Sequence, residues 1–195
     1  MIAFVGAVIV ALLTSAGEID IRVDTVHAPL SAANFLSYVR RGFYDGGAFF
    51  RTVTTRPDNQ PHNRAKIDVI QATHNARIHK RLSRPVPFEP TSRTGLLHRN
   101  GTVSLARDAA LDTAQTDFFI CIGAQPSLDD GGKRSKDHRG FAAFGQVVRG
   151  MDVVRAIHAA PQAHQQLSPP FRIIRARVVA TSARVDEAVP MKPSR

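Results

Sequence analysis

The sequence predicts a mainly β domain, a largely antiparallel barrel or sandwich carrying two helices. About eight short segments have strand character, and only two stretches have the periodicity of a helix. No helix falls between most of the strands, which excludes a repeating βαβ fold. Glycine (13) and proline (12) are plentiful and scattered, as many turns between short strands require. At 195 residues the chain suits one domain, and a hydrophobic share of 43% fits a packed core and is too high for disorder. Residues 1–180 read as that domain and residues 181–195 as a polar, disordered tail.

The first apolar run, Ile2 to Leu13, admits two readings. It resembles a signal-peptide core ending near Ala16, although no Lys or Arg precedes it and it is too short to span a bilayer. The other reading makes Ala7 to Leu13 a strand that turns at Ser15 to Gly17. The next segment favours the strand, because Glu18 to Val23 alternates polar and apolar and needs a partner. Retention of that strand implies a cytoplasmic protein; removal of residues 1–16 implies a periplasmic one.

Pro29 then opens a helix with Ala32, Phe35, Leu36 and Val39 on one face. Arg40 and Arg41 suit its C-terminal dipole, and Gly42 suits the position just after it. Strand-like segments follow at Ala48 to Val53, Ile67 to Ala72, Gly101 to Leu105, Asp117 to Ile122 and Ala143 to Val148. Arg56 to Lys66 reads as an exposed loop, His74 to Arg84 as irregular, and Asp129 to Gly140 as a long loop. Met151 to His158 is the second helix. Pro169-Pro170 precedes a last strand, Phe171 to Val179.

The net charge of +10 raises the question of nucleic acid. No basic run interleaves with aromatics and no helix carries an Arg stripe, so the charge reads as a solvated surface, with neither nucleic acid nor membrane as a partner. Cys121, the only cysteine, lies in an apolar run and reads as a buried structural thiol. His62, His74, His79 and His98 match no metal spacing and read as surface residues. Ser104 has no matched His and Asp pattern, which argues against a hydrolase.

Four blocks carry a resemblance. They are Asn34-Phe35-Leu36 with Phe43-Tyr44-Asp45-Gly46; Phe49-Phe50-Arg51-Thr52-Val53; Gly101 to Ala106 continuing to Asp117-Phe118-Phe119-Ile120; and Phe144 to Val154. In order and spacing they resemble the cyclophilin family of peptidyl-prolyl cis/trans isomerases, in a bacterial branch, over roughly residues 7 to 179. The resemblance implies a closed eight-stranded antiparallel β-barrel capped by two α-helices, with the substrate groove outside the barrel. It implies a monomer that acts on proline-containing polypeptides without cofactor or metal.

By the same resemblance Arg51 is the catalytic arginine and Gln71 the glutamine that supports it and holds the substrate carbonyl. Phe119, Leu128 and Phe141 line the proline pocket, Phe118 belongs to the core, and Phe50, Ala106 and Arg107 border the bound peptide. The chain departs from the family at Phe50, in place of a histidine, and at Ser127, in place of a tryptophan, which implies weak binding of cyclosporin. Asp68 stands where a pocket phenylalanine is usual. Either Ile67 or Val69 fills in for it, or the pocket is weakened. A binding module without appreciable catalysis is the competing expectation.

Overall fold

The computed structural model describes residues 8–181. Residues 1–7, at the start of the apolar run, and the tail from 182 onward lie outside the described residues. The strands are β1 (Val8–Thr14), β2 (Gly17–Val23), β3 (Ala48–Val53), β4 (Val69–Thr73), β5 (Thr102–Leu105), β6 (Phe118–Cys121), β7 (Ala142–Arg149), β8 (Gln162–Ala163) and β9 (Gln166–Thr181). They pair antiparallel in the order β1-β2-β7-β5-β6-β4-β3-β9, and β9 returns to pair with β1. That last pairing closes an eight-stranded barrel, as expected. The two-residue β8 is a flange on β9.

The strand at Val8–Thr14 pairs on both sides, with β2 from Val8↔Val23 to Thr14↔Gly17 and with β9 from Val8↔Thr181. It is the staple of the closure. Side chains alternate across it, so Val10 and Leu12 are buried inside while Leu13 faces solvent.

Among the described residues three helices are present where two were expected: α1 (Pro29–Arg40), α2 (Thr91–Thr94) and α3 (Met151–His158). The single turn of α2, ended by Gly95 at φ 72°, is too short to show helical periodicity in a sequence. A 3₁₀ turn, Ala76–Arg81, likewise occupies a stretch expected to be irregular. Helix α1 buries Ala32, Phe35, Leu36 and Val39 as its periodicity predicts. Its free N-terminal amides are met from a distant loop. The buried Glu89 carboxylate accepts from the Leu30 and Ser31 amides and from the Ser31 hydroxyl. Phe118 lies at the centre of the core, with rings of Phe35, Tyr44 and Phe49 at 5.4, 5.4 and 5.9 Å.

The last strand begins at Gln166, five residues before the expected start at Phe171, so Pro169 and Pro170 lie inside it. Proline has no N–H to donate, and the pair falls where the ladder to β3 is interrupted. Between the pairs Phe49↔Phe171 and Arg51↔Gln166, β9 loops out residues 167–170 while β3 has Phe50 alone. The same residue is extra against β4, where Phe49 pairs with Ala72 and Arg51 with Gln71. Phe50 is therefore the extra residue of a β-bulge. In a regular strand residues 49 and 51 share a face. The bulge shifts the alternation by one, so Phe49 is in the core and Arg51 emerges outside.

Candidate functional site

Outside the barrel, on β3, β4 and β6, a second and smaller apolar cluster gathers Val53, Ile67, Val69, Phe119, Cys121 and Leu128, with Ala106 and Phe141 packed against it. It lines a cavity of about 270 Å³ whose polar edge holds Arg51, Gln71, Arg107, Asp108 and Arg134. Phe119 and Phe141 meet edge to face with centroids 5.4 Å apart, and Leu128, on a 3₁₀ turn at Pro126–Leu128, closes the side. Ile67 and Val69 both face the cavity. Strand alternation turns Asp68 away, where its carboxylate accepts from the Thr55 amide (2.7 Å) and hydroxyl (2.8 Å). The aspartate thus leaves the pocket wall apolar.

Arg51 is half-buried, and burial pulls its pKa below the usual value for a guanidinium, which stays charged at neutral pH. Its Nη1 donates to Gln71 Oε1 at 3.0 Å. Its Nε (3.0 Å) and Nη2 (2.5 Å) both donate to Gln165 Oε1. One N–H on each terminal nitrogen is left without a bond in this set, and Arg51 is part of the cavity lining.

Gln165 was not foreseen from the sequence. It sits with His164 in the two-residue turn between β8 and β9, at φ 69° and 51°. Positive φ at both positions is the conformation of a tight hairpin turn, usually held by Gly or Asn. Its amide nitrogen side chain donates to the Asn59 carbonyl (2.8 Å), so the glutamine is held at both ends. No local motif marks it, since it lies 114 residues from Arg51 in sequence.

Arg107 lines the cavity, and its side chain is engaged within the protein. It donates to Gly140, Asp108 and Ala109 carbonyls and to both oxygens of Asp137 at 2.8 Å. Each of its three nitrogens thereby donates within the protein. The bidentate bond from Arg107 holds the Asp137 carboxyl well below the usual carboxylate range. Arg107 is a wall that ties the 129–140 loop to the cavity rim. Phe50, expected to border the peptide, is half-buried at the bulge and is not part of the cavity lining. Ser127, too, is outside the lining.

Behind Phe119 lies a row of polar groups. Asp129 Oδ1 is 2.7 Å from His98 Nδ1, and His98 Nε2 is 3.0 Å from Ser104 Oγ. The connectivity is that of a hydrolytic triad, which the sequence did not suggest. Ser104 is fully buried, however, and offers no nucleophile to a substrate. The row instead supports the pocket, because the His98 ring stacks on Phe119 at 5.8 Å. His62 is exposed, but His98 and His74 are buried, which corrects their reading as surface residues. The side chain of His79 lies outside the described residues. Cys121 is buried as expected, and burial raises its thiol pKa far above the ordinary value.

The model of the family described as cyclophilin type peptidyl-prolyl cis-trans isomerase/CLD matches residues 9–178. The chain belongs to this family. A peptidyl-prolyl cis-trans isomerase A of Dickeya dadantii is 34% identical over 148 residues, 76% of this chain and 70% of its own length. A peptidyl-prolyl cis-trans isomerase of Acinetobacter baylyi is 30% identical over 174 residues, 87% of this chain and 84% of its own. Among solved structures, a cyclophilin type isomerase of Cryptosporidium parvum superposes with a TM-score of 0.68 at 17% identity, covering 90% of this chain and 99% of its own. The protein is thus a cyclophilin and an enzyme of the peptidyl-prolyl isomerase class.

Proposed function

We propose that this cyclophilin accelerates rotation about X-Pro bonds in unfolded or flexible polypeptides, with Arg51 donating to the proline nitrogen of the twisted state. Resonance sets a barrier of about 18–20 kcal/mol to that rotation. Uncatalysed exchange before proline takes tens to hundreds of seconds. As the bond twists, the proline nitrogen becomes pyramidal and recovers its lone pair. A donor aimed at that nitrogen binds the twisted state better than the planar one, and so lowers the barrier. No nucleophile or general base is required.

The observation that carries this reading is the grip on Arg51. A charged guanidinium, fixed by Gln71 and Gln165, keeps one unused N–H on each terminal nitrogen and lines a cavity with apolar walls. The cavity, walled by Phe119, Leu128 and Phe141, suits the proline ring, and Ala106 leaves room for an extended backbone beside it. A structure similar in fold was solved with the dipeptide Ala-Pro. Gln71 has its Oε1 on Arg51 and its Nε2 3.4 Å from Asp117, within reach of a substrate carbonyl as well.

The test is catalysis of cis/trans exchange in a short X-Pro peptide, wild type beside Arg51→Ala. Acceleration by wild type that is largely lost in a folded variant supports the reading. A folded wild type that accelerates no peptide makes the protein a proline-segment binder instead. A cytoplasmic site of action, with the strand at Val8–Thr14 retained, is part of the proposal, since that strand pairs with both β2 and β9. A mature N-terminus after Ala16, read by mass spectrometry, overturns that part.

A further inference from the structure

Arg134 reaches from the 129–140 loop into the same cavity as Arg51. Its Nη1 donates to Gln60 Oε1 and to the Ala65 carbonyl, both at 2.9 Å. Among the described residues its Nε and Nη2 meet no acceptor. The third arginine of the lining, Arg107, is neutralised by Asp137. Arg51 and Arg134 have no carboxylate at ion-pair distance among the described residues, and Asp108, the carboxylate in the lining, pairs with neither. Burial, and then the charge of Arg51, lowers the Arg134 pKa.

Two half-buried cations sharing one cavity repel, and apolar walls weaken the screening between them. An anion placed between them turns that repulsion into charge-assisted hydrogen bonds, which guanidinium groups form well with carboxylates. We infer that Arg134 and Arg51 form an anion subsite beside the proline pocket, so that the enzyme prefers X-Pro segments with a carboxylate side chain next to the proline. The inference rests on the isomerase reading and names the substrates within it.

The experiment compares kcat/KM for two peptide pairs, each differing only by Glu against Gln. One pair varies the residue before proline, the other the residue after it. At low salt the Glu peptide of one pair is favoured about tenfold, as for a hydrogen bond to a charged group. The preference shrinks at high salt. Arg134→Gln keeps an amide donor for Gln60 and Ala65 while removing the charge, and brings the ratio close to one. Because each ratio is taken within one variant, a general loss of rate cancels. Ratios near one in both pairs for wild type, or a preference that survives Arg134→Gln, overturn the subsite. If no peptide is isomerised, the catalytic reading fails separately, and calorimetric titration of the same four peptides decides. A Glu preference in affinity that Arg134→Gln abolishes supports the subsite, and equal affinities or no binding overturn it.

Discussion

Strands β3, β4 and β6 present Phe49, Ile70 and Phe118 to the barrel interior and Arg51, Gln71 and Phe119 to the outside. The inner cluster is built from every barrel strand and from α1 and α3, so each side chain in it has many neighbours. The outer cluster is small and completed by loops: 54–67 supplies Ile67, the Pro126–Leu128 turn supplies Leu128, and 129–140 supplies Arg134. Its polar half depends on one bulge at Phe50 and one hairpin turn at Gln165. The same strands thus serve stability on one face and binding on the other, and substitutions on the two faces separate the effects.

The largest effect is expected inside. Phe118→Ala removes the ring at the centre of the aromatic core and costs about 3–5 kcal/mol in unfolding free energy, read from denaturant titration. A loss below about 1 kcal/mol breaks the distinction between the faces. Arg51→Ala acts outside. Its kcat/KM falls about 10²–10³-fold, the usual consequence of removing a transition-state donor, while the unfolding midpoint moves little. Phe119→Ala sharpens the contrast with its neighbour. It opens a wall already adjoining water, so it destabilises less than Phe118→Ala and raises KM for short peptides more than it lowers kcat.

Gln165→Gly tests the turn. Glycine adopts positive φ without strain, which offsets part of the loss of the three Gln165 side-chain hydrogen bonds, so the protein stays folded. Arg51 loses two hydrogen bonds, and kcat/KM falls about tenfold. Equal activity in the two proteins removes Gln165 from the site. The smallest effect concerns Asp137. Its folded pKa is depressed by Arg107, so its contribution is present above the unfolded carboxylate value, about 3.9, and is lost as pH falls through the folded value. Proteolysis of the 129–140 loop is therefore steady between pH 7 and 5, and Asp137→Asn increases it at both.

Much of the fold was legible in the sequence because it depends on short-range alternation. Glu18 to Val23 shows which residues face inward with no knowledge of its partners, whereas Phe118 to Cys121 is apolar throughout and only the resemblance assigned Phe118 to the core. The periodicity of α1 and α3 was equally plain, and Met151–His158 agrees with its expected bounds. The single turn of α2 and the early start of β9 were not legible, the first because it is too short and the second because Pro169-Pro170 reads as a break. Within the site, the blocks around Arg51, Gln71 and Phe119 were visible through their resemblance to a family. Gln165, Arg134 and the Asp129–His98–Ser104 row were not, since Gln165, Arg134 and Asp129 each meet their partner across a long stretch of chain.

The sequence by itself determined most of the strands and the two longer helices, because alternation and helical periodicity are written in neighbouring residues, while the arginine-centred site came only from the resemblance of its blocks to a family. Only the tertiary structure decided which face Arg51 occupies and what surrounds it. The bulge at Phe50, the aspartate turned away at Asp68, the closed clamp of Arg107 and the placing of Arg134 in the cavity all follow from contacts between distant segments. The physical reason is that hydrophobic alternation is a local property. The partner of a buried charge or amide is set by the folded chain that comes to rest against it.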